Sequence, residues 1–202
     1  MDKKIQTIDT YNNSAQSLAT KFDSLGVRTS DIKETLELIK IVNPHILEIG
    51  CGNGRDAEEI VKFTDNYIGI DISEKLLELA RQKVPKGKFE VADIENYKFE
   101  EGLDVIFAFA SLIHVPIDSL QNILANAYIA LNNNGVMRLS MKYSDSYTET
   151  TKEDEFGIRT YYLYSKNDIE KLTTGFVVLK NELNDLRGQK WMEIILQKKV
   201  SV

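Results

Sequence analysis

The stretch Ile46-Leu47-Glu48-Ile49-Gly50-Cys51-Gly52-Asn53-Gly54-Arg55 decides how the rest of the chain is read. A short apolar run suited to a buried parallel strand breaks into glycines at alternate positions, and a helical pattern starts at Arg55. Glycines placed this way let the backbone turn sharply and come close to a ligand. Close packing of the next helix on a sheet would ask for the same residues, so the loop alone leaves both readings open.

The flanking strands favour a nucleoside site. Tyr67-Ile68-Gly69-Ile70-Asp71 ends in a carboxylate about 20 residues on, the spacing of an acid that meets ribose hydroxyls. Phe89-Glu90-Val91-Ala92-Asp93 ends in another. Leu103 to Ala110 is nearly continuous apolar sequence, as a central strand covered on both faces requires, and Val136 to Met141 is a fifth strand. Helical patterns fill the intervals: a short one from Arg55 to Lys62, one capped by Ser73 and running to Gln82, and a long one from Pro116 to Leu131. Strict alternation of strand and helix predicts βαβ units and a parallel sheet. Phe176–Leu179 and Trp191–Leu196 lie too close in sequence for a helical crossover, which predicts an antiparallel pair closing that sheet.

Around this scaffold the pattern is weaker. Residues 1–9 read as a loose end, Thr10 to Leu25 as a weakly patterned helix, and Ser30 or Asp31 to Pro44 as a second helix, so 1–43 forms an N-terminal helical cap. From Lys142 to Arg159 periodicity is lost, and 142–164 is read either as an active-site loop or lid or as a mobile surface excursion. A short helix capped by Ser165 follows. The whole of 1–202 is read as one domain.

Composition narrows the partners. A formal charge of -6 gives no electrostatic reason for nucleic-acid binding. One cysteine allows no internal disulfide, and the N-terminus has no apolar core of a secretory signal, so a reducing, cytoplasmic setting is expected. No apolar run is long enough to span a membrane. Two distant histidines and the single cysteine fit no ordinary zinc pattern, so no metal is expected. A P-loop motif is absent.

In an open parallel sheet, ligands sit beyond the carboxyl ends of the strands, and that rule sorts the polar residues. Glu48 lies inside the first strand, where burial demands a partner: a ligand's cationic group or backbone N–H groups. Asp71 is the candidate for ribose hydroxyls, and Asp93 for an exocyclic amine. His45 precedes the first strand, on the face opposite the ligand, and is read as structural. His114 follows the fourth strand on the ligand side and is the candidate general base, with helix capping or pocket lining as the other roles open to it. Tyr143, Tyr147, Tyr161, Tyr162 and Tyr164 cluster where they can shape a largely apolar acceptor site.

The motif set as a whole resembles the class I S-adenosylmethionine-dependent methyltransferases of small-molecule type. ILEIGCGNGRD at 46–56, YIGIDIS at 67–73, FEVADIENY at 89–97 and LDVIFAFASLIHVP at 103–116 are similar to that family's successive motifs, and the remaining elements cover almost the whole chain. The resemblance implies a Rossmann-like α/β sheet of seven strands in the order 3-2-1-4-5-7-6, strand 7 antiparallel. It implies S-adenosyl-L-methionine as cofactor, with Glu48 and Gly50, Cys51, Gly52, Asn53 and Gly54 beside its methionine part and Arg55 next to them. Asp71 is then at the ribose, Ile72 beside the adenine and Asp93 at its amine, with Ile94 and Ala110 completing the contacts. Tyr11 matches a tyrosine that such members place near the cofactor carboxylate, whereas Phe22 stands where a second tyrosine is frequent.

The function implied is methyl transfer to an oxygen or nitrogen of a small-molecule acceptor. A noncatalytic cofactor-binding regulatory domain is the alternative from another class. An NAD(P)-dependent oxidoreductase is disfavoured, because Gly50-x-Gly52-x-Gly54 lacks the G-x-G-x-x-G spacing. The acceptor and the oligomeric state are not written in the sequence.

Overall fold

A computed structural model describes residues 2–186 and 188–199. Its main sheet contains β1 (Ile46–Ile49), β2 (Tyr67–Asp71), β3 (Lys88–Val91), β4 (Leu103–Phe109), β5 (Leu131–Lys142), β8 (Phe176–Leu186) and β9 (Gln189–Lys198). The order is β3-β2-β1-β4-β5-β9-β8, with the first five parallel and β9 antiparallel to β5 and β8. This is the order and polarity implied by the resemblance. The last two strands carry higher numbers because a separate hairpin, β6 (Thr148–Asp154) and β7 (Gly157–Leu163), precedes them.

The central strands are apolar because both their faces are covered. Every residue of β1 and β4 is buried. Leu47, Ile49, Ile106 and Ala108 meet Leu120, Ile123, Leu124 and Ala127 of α6 (Ile117–Ala130). Ile46, Val105 and Phe107 meet Ile32 of α3 (Thr29–Ile39), Ala57 and Ile60 of α4 (Ala57–Ile60), and Leu77 and Ala80 of α5 (Glu74–Lys83). Each large aliphatic side chain so placed contributes about 1.5–3 kcal/mol. Ser73 starts α5 by accepting a hydrogen bond from the Leu76 N–H, and a reciprocal Ser165–Asp168 capping box starts α7 (Lys166–Leu172). Arg138, fully buried in β5, pairs with Asp31 and Glu34 and so fastens α3 to the sheet.

The sequence reading needs correction in two places. Residues 1–9 are no loose end: α1 (Lys3–Asn13) begins there, its first N–H groups bonded by the Asp2 carboxylate. Ser14 breaks the chain between α1 and α2 (Ala15–Ser24), so the single helix expected from Thr10 to Leu25 is two. The segment 142–164 is no irregular loop either, since most of it is the antiparallel β6–β7 hairpin. A bridge between Tyr143 and Tyr164 ties that hairpin to the end of β5.

The two corrected elements hold one another. Thr7 Oγ1 accepts from the Thr160 N–H at 3.0 Å, Thr10 Oγ1 donates to the Ile158 carbonyl at 2.7 Å, and Ser14 Oγ donates to the Phe156 carbonyl at 2.6 Å. Among the described residues no helix is long and apolar enough to cross a membrane.

Candidate active site

The glycine loop turns off the carboxyl end of β1 with Gly50, Gly52 and Gly54 all in the left-handed region, at φ of 70°, 56° and 77°. The Gly50 and Cys51 N–H groups donate to the Ile70 carbonyl, which lashes the loop to β2. What a Cβ would meet separates the three glycines. At Gly50 it would fall 2.2 Å from Ser111 Cβ, and at Gly54 3.1 Å from Ala80, so these two serve close packing. At Gly52 it would meet nothing within 4 Å: the bare face of this residue opens into space.

Asp71 closes the far side of that space. One carboxylate oxygen accepts from the Gly52 N–H at 2.9 Å and the other from the Ser73 N–H at 2.8 Å. Burial raises its pKa, and the bonds from backbone N–H groups oppose that rise. On the β4 side, Ala110 is held at φ 54°, an uncommon conformation for a residue with a side chain, and its N–H donates to Ser140 Oγ at 3.0 Å. Next to it, Ser111 Oγ is buried without a hydrogen-bond partner. An open glycine cradle with an orphaned hydroxyl beside it fits a polar ligand at the ends of β1, β2 and β4.

Other predicted residues sit nearby in different roles. Glu48 is buried, and its partner is the Tyr67 hydroxyl, which donates to Oε2 at 2.6 Å, in place of a cation or backbone N–H groups. Burial, with Asp56 and Asp71 nearby, raises its pKa well above the carboxylate range. Cys51 is buried, and burial pushes its thiol up, which suits a small packing residue. Asn53 Nδ2 donates to Asp23 Oδ1 at 2.9 Å and Arg55 Nη1 to the Phe22 carbonyl at 3.1 Å, so both are engaged with α2. Ile72 is half-buried after Asp71, and Ile94 packs on the α6 side of the sheet. His45 lies before β1 at the opposite sheet edge, its backbone N–H bonded to Asp104.

The α1 helix crosses the strand ends and touches three of these positions. Lys4 Nζ lies 2.6 Å from Asp93 Oδ2 and 2.6 Å from Glu95 Oε1. Asn12 Oδ1 accepts from Ser73 Oγ at 2.9 Å. Tyr11 Oη is 2.8 Å from His114 Nε2, while His114 Nδ1 is 2.6 Å from the Thr160 carbonyl. A carbonyl only accepts, so Nδ1 carries the proton, and Nε2 accepts a hydrogen bond from the Tyr11 hydroxyl. Burial, helped by Lys142 and Arg159, lowers the His114 pKa to about 4. Both ring nitrogens are therefore occupied on a neutral imidazole, a positioning role that fits pocket lining better than proton abstraction. Lys4, Asn12, Ser111 and Ser140 escaped the sequence reading. Only Ser111, in the loop after an apolar strand, carried a positional signal for it.

Residues 46–135 match a family model described as a methyltransferase domain. A trans-aconitate 2-methyltransferase of Rhodopseudomonas palustris (strain HaA2) is 33% identical over 117 residues, covering 56% of this chain and 45% of the relative. A malonyl-acyl-carrier-protein O-methyltransferase of Ilyobacter polytropus is 31% identical over 145 residues, covering 69% and 50%. The chain thus spans about half the length of the curated relatives it matches. Among solved structures, magnesium protoporphyrin IX methyltransferase from Synechocystis PCC 6803 with bound S-adenosylmethionine superposes with a TM-score of 0.74. It covers 98% of each chain at 16% identity, a likeness of fold. Over residues 46–135 the chain thus carries a methyltransferase domain, and in its relatives and its sheet it is similar to the class I S-adenosylmethionine-dependent methyltransferases.

Proposed function

We propose that this chain transfers a methyl group from S-adenosylmethionine to an oxygen or nitrogen of a small-molecule acceptor. The observation that carries the reading is the open, left-handed Gly52 with its N–H fixed by Asp71, beside the unpartnered Ser111 hydroxyl. The cofactor, when bound, supplies a methyl carbon already made electrophilic by its sulfonium. The work left to the chain is to hold, orient and exclude water.

In this reading the glycine loop, Ser111 and the Ala110 turn receive the methionine part, Asp71 takes the ribose hydroxyls, and Ile72 and Asp93 face the adenine. Tyr11, oriented by the neutral His114, and the β6–β7 hairpin roof the site. The names of the relatives put trans-aconitate and malonyl-acyl-carrier protein at the head of an acceptor panel.

The test is mass-spectrometric detection of S-adenosylhomocysteine and methylated product from purified protein, S-adenosylmethionine and a panel of acids, phenols and amines. Turnover with at least one acceptor is expected. A protein that binds the cofactor and stays inert across the panel would instead be a regulatory cofactor-binding domain.

A further inference from the structure

Two cations meet at the roof of this site. Lys142 ends β5 at the same carboxyl edge as Gly52 and Asp71. Its ammonium sits 3.5 Å from the centre of the Tyr161 ring and 5.9 Å from that of Trp191. Among the described residues it enters no ion pair. Arg159 on β7 has its guanidinium 5.7 Å from the same Tyr161 ring and 5.6 Å from Tyr11. Its side chain is only 8% exposed; Nη2 pairs with Asp154, and the buried Nε has no partner.

The Tyr161 ring thus joins three groups, because His114 lies against it as well, at 4.8 Å between ring centres. The Asp154 carboxylate faces Lys142, Arg159 and the nearby Lys152. Burial and those two neighbouring cations hold the Lys142 ammonium down to about 8. An excess of desolvated positive charge and an orphaned guanidinium N–H, in a chain of net charge -6, describe a place made for an anion.

We propose that Lys142 and Arg159 form an acceptor-recognition site that binds a carboxylate of the substrate, so that the methyl acceptor is a small organic acid. The inference rests on the methyltransferase reading above and adds the chemical class of its second substrate. An anion seated there satisfies the Arg159 Nε and gives Lys142 its missing partner. An organic acid also suits a site without a ready base, since its carboxylates are ionised at neutral pH and His114 is already committed at both nitrogens.

The experiment is calorimetric titration of the full chain, first with S-adenosylhomocysteine and then, in the loaded protein, with trans-aconitate, malonate, succinate, citrate and benzoate. The neutral methyl esters of the same acids serve as controls. Wild type, Lys142→Met, Lys142→Arg and Arg159→Gln are compared after circular dichroism has confirmed their folding.

The proposal expects at least one acid to bind and its ester not to. It expects that acid to weaken about tenfold or more in Lys142→Met and Arg159→Gln, with recovery in Lys142→Arg and S-adenosylhomocysteine affinity unchanged throughout. Cofactor product that binds while no acid does, or acids that bind all variants alike, would overturn the carboxylate site and leave the methyltransferase reading standing. Failure of S-adenosylhomocysteine to bind wild type would remove that reading, and the proposal with it.

Discussion

Lys4 and Asp93 join the first helix to the end of β3, with 2.6 Å between ammonium and carboxylate. The residue expected to meet the adenine amine is therefore already paired with a cation from the cap. Exposed pairs of this kind are worth about 0.2–1 kcal/mol. Lys4→Met should accordingly raise the association rate of S-adenosylmethionine about two- to fivefold, read by surface plasmon resonance. Raised ionic strength should reproduce part of that gain in wild type. Identical rates in the two proteins would show that α1 need not move for entry.

Gly50 and Gly52 should respond differently to alanine. Gly50→Ala drives a Cβ to 2.2 Å from Ser111 Cβ and should unfold at markedly lower denaturant. Gly52→Ala meets open space, so it should lose only about 1 kcal/mol for its left-handed backbone while cofactor affinity falls tenfold or more. Denaturation and calorimetry on both variants separate the effects. Tight cofactor binding by Gly52→Ala would place the ligand elsewhere.

The contrast between these glycines also marks what the sequence could convey. Alternate glycines after an apolar run made the loop legible, and the alternation of strand and helix patterns made the parallel sheet legible, while the strand order was implied by the family resemblance. Which glycine faces the ligand depends on Ser111 and Ala80, which reach the loop from distant parts of the chain. The cap was illegible for a related reason. Thr7 and Thr10, the buried residues of α1, dock by hydrogen bonds to β7 and leave no hydrophobic stripe to read. The hairpin hid likewise, because Thr148–Asp154 is exposed along almost its whole length. In that strand the threonines were the β signal available. Glu48 was correctly seen to need a partner, but Tyr67 lies on the adjacent strand, and pairing across strands is set by register.

The Glu48–Tyr67 bond yields a stability prediction. Tyr67→Phe removes the donor and leaves a buried carboxyl group unsatisfied, a loss of about 1–3 kcal/mol in urea unfolding. Because the fold raises the Glu48 pKa, the stability tied to its protonation is present below the ordinary carboxyl value and is lost as pH rises through the folded one. Glu48→Gln should therefore gain on wild type as pH increases. A constant difference across pH would contradict the burial argument.

His114 has the opposite sign. Its pKa falls from 6.5 to about 4 on folding, so its contribution is complete above 6.5 and is lost as pH drops through about 4. Urea midpoints of wild type should fall more steeply between these values than those of His114→Asn. The rate profile should likewise show no ionisation near 6.5 assignable to this residue. A limb at that pH which disappears in His114→Asn would restore the general-base role.

The measurement that bears most directly on the central claim is calorimetric titration of the purified chain with S-adenosylmethionine, with NAD as comparison and Asp71→Ala as the site variant. The account predicts saturable binding of S-adenosylmethionine, at least tenfold weaker in Asp71→Ala, and no heat from NAD. Binding of NAD alone, or S-adenosylmethionine binding indifferent to Asp71, would contradict it.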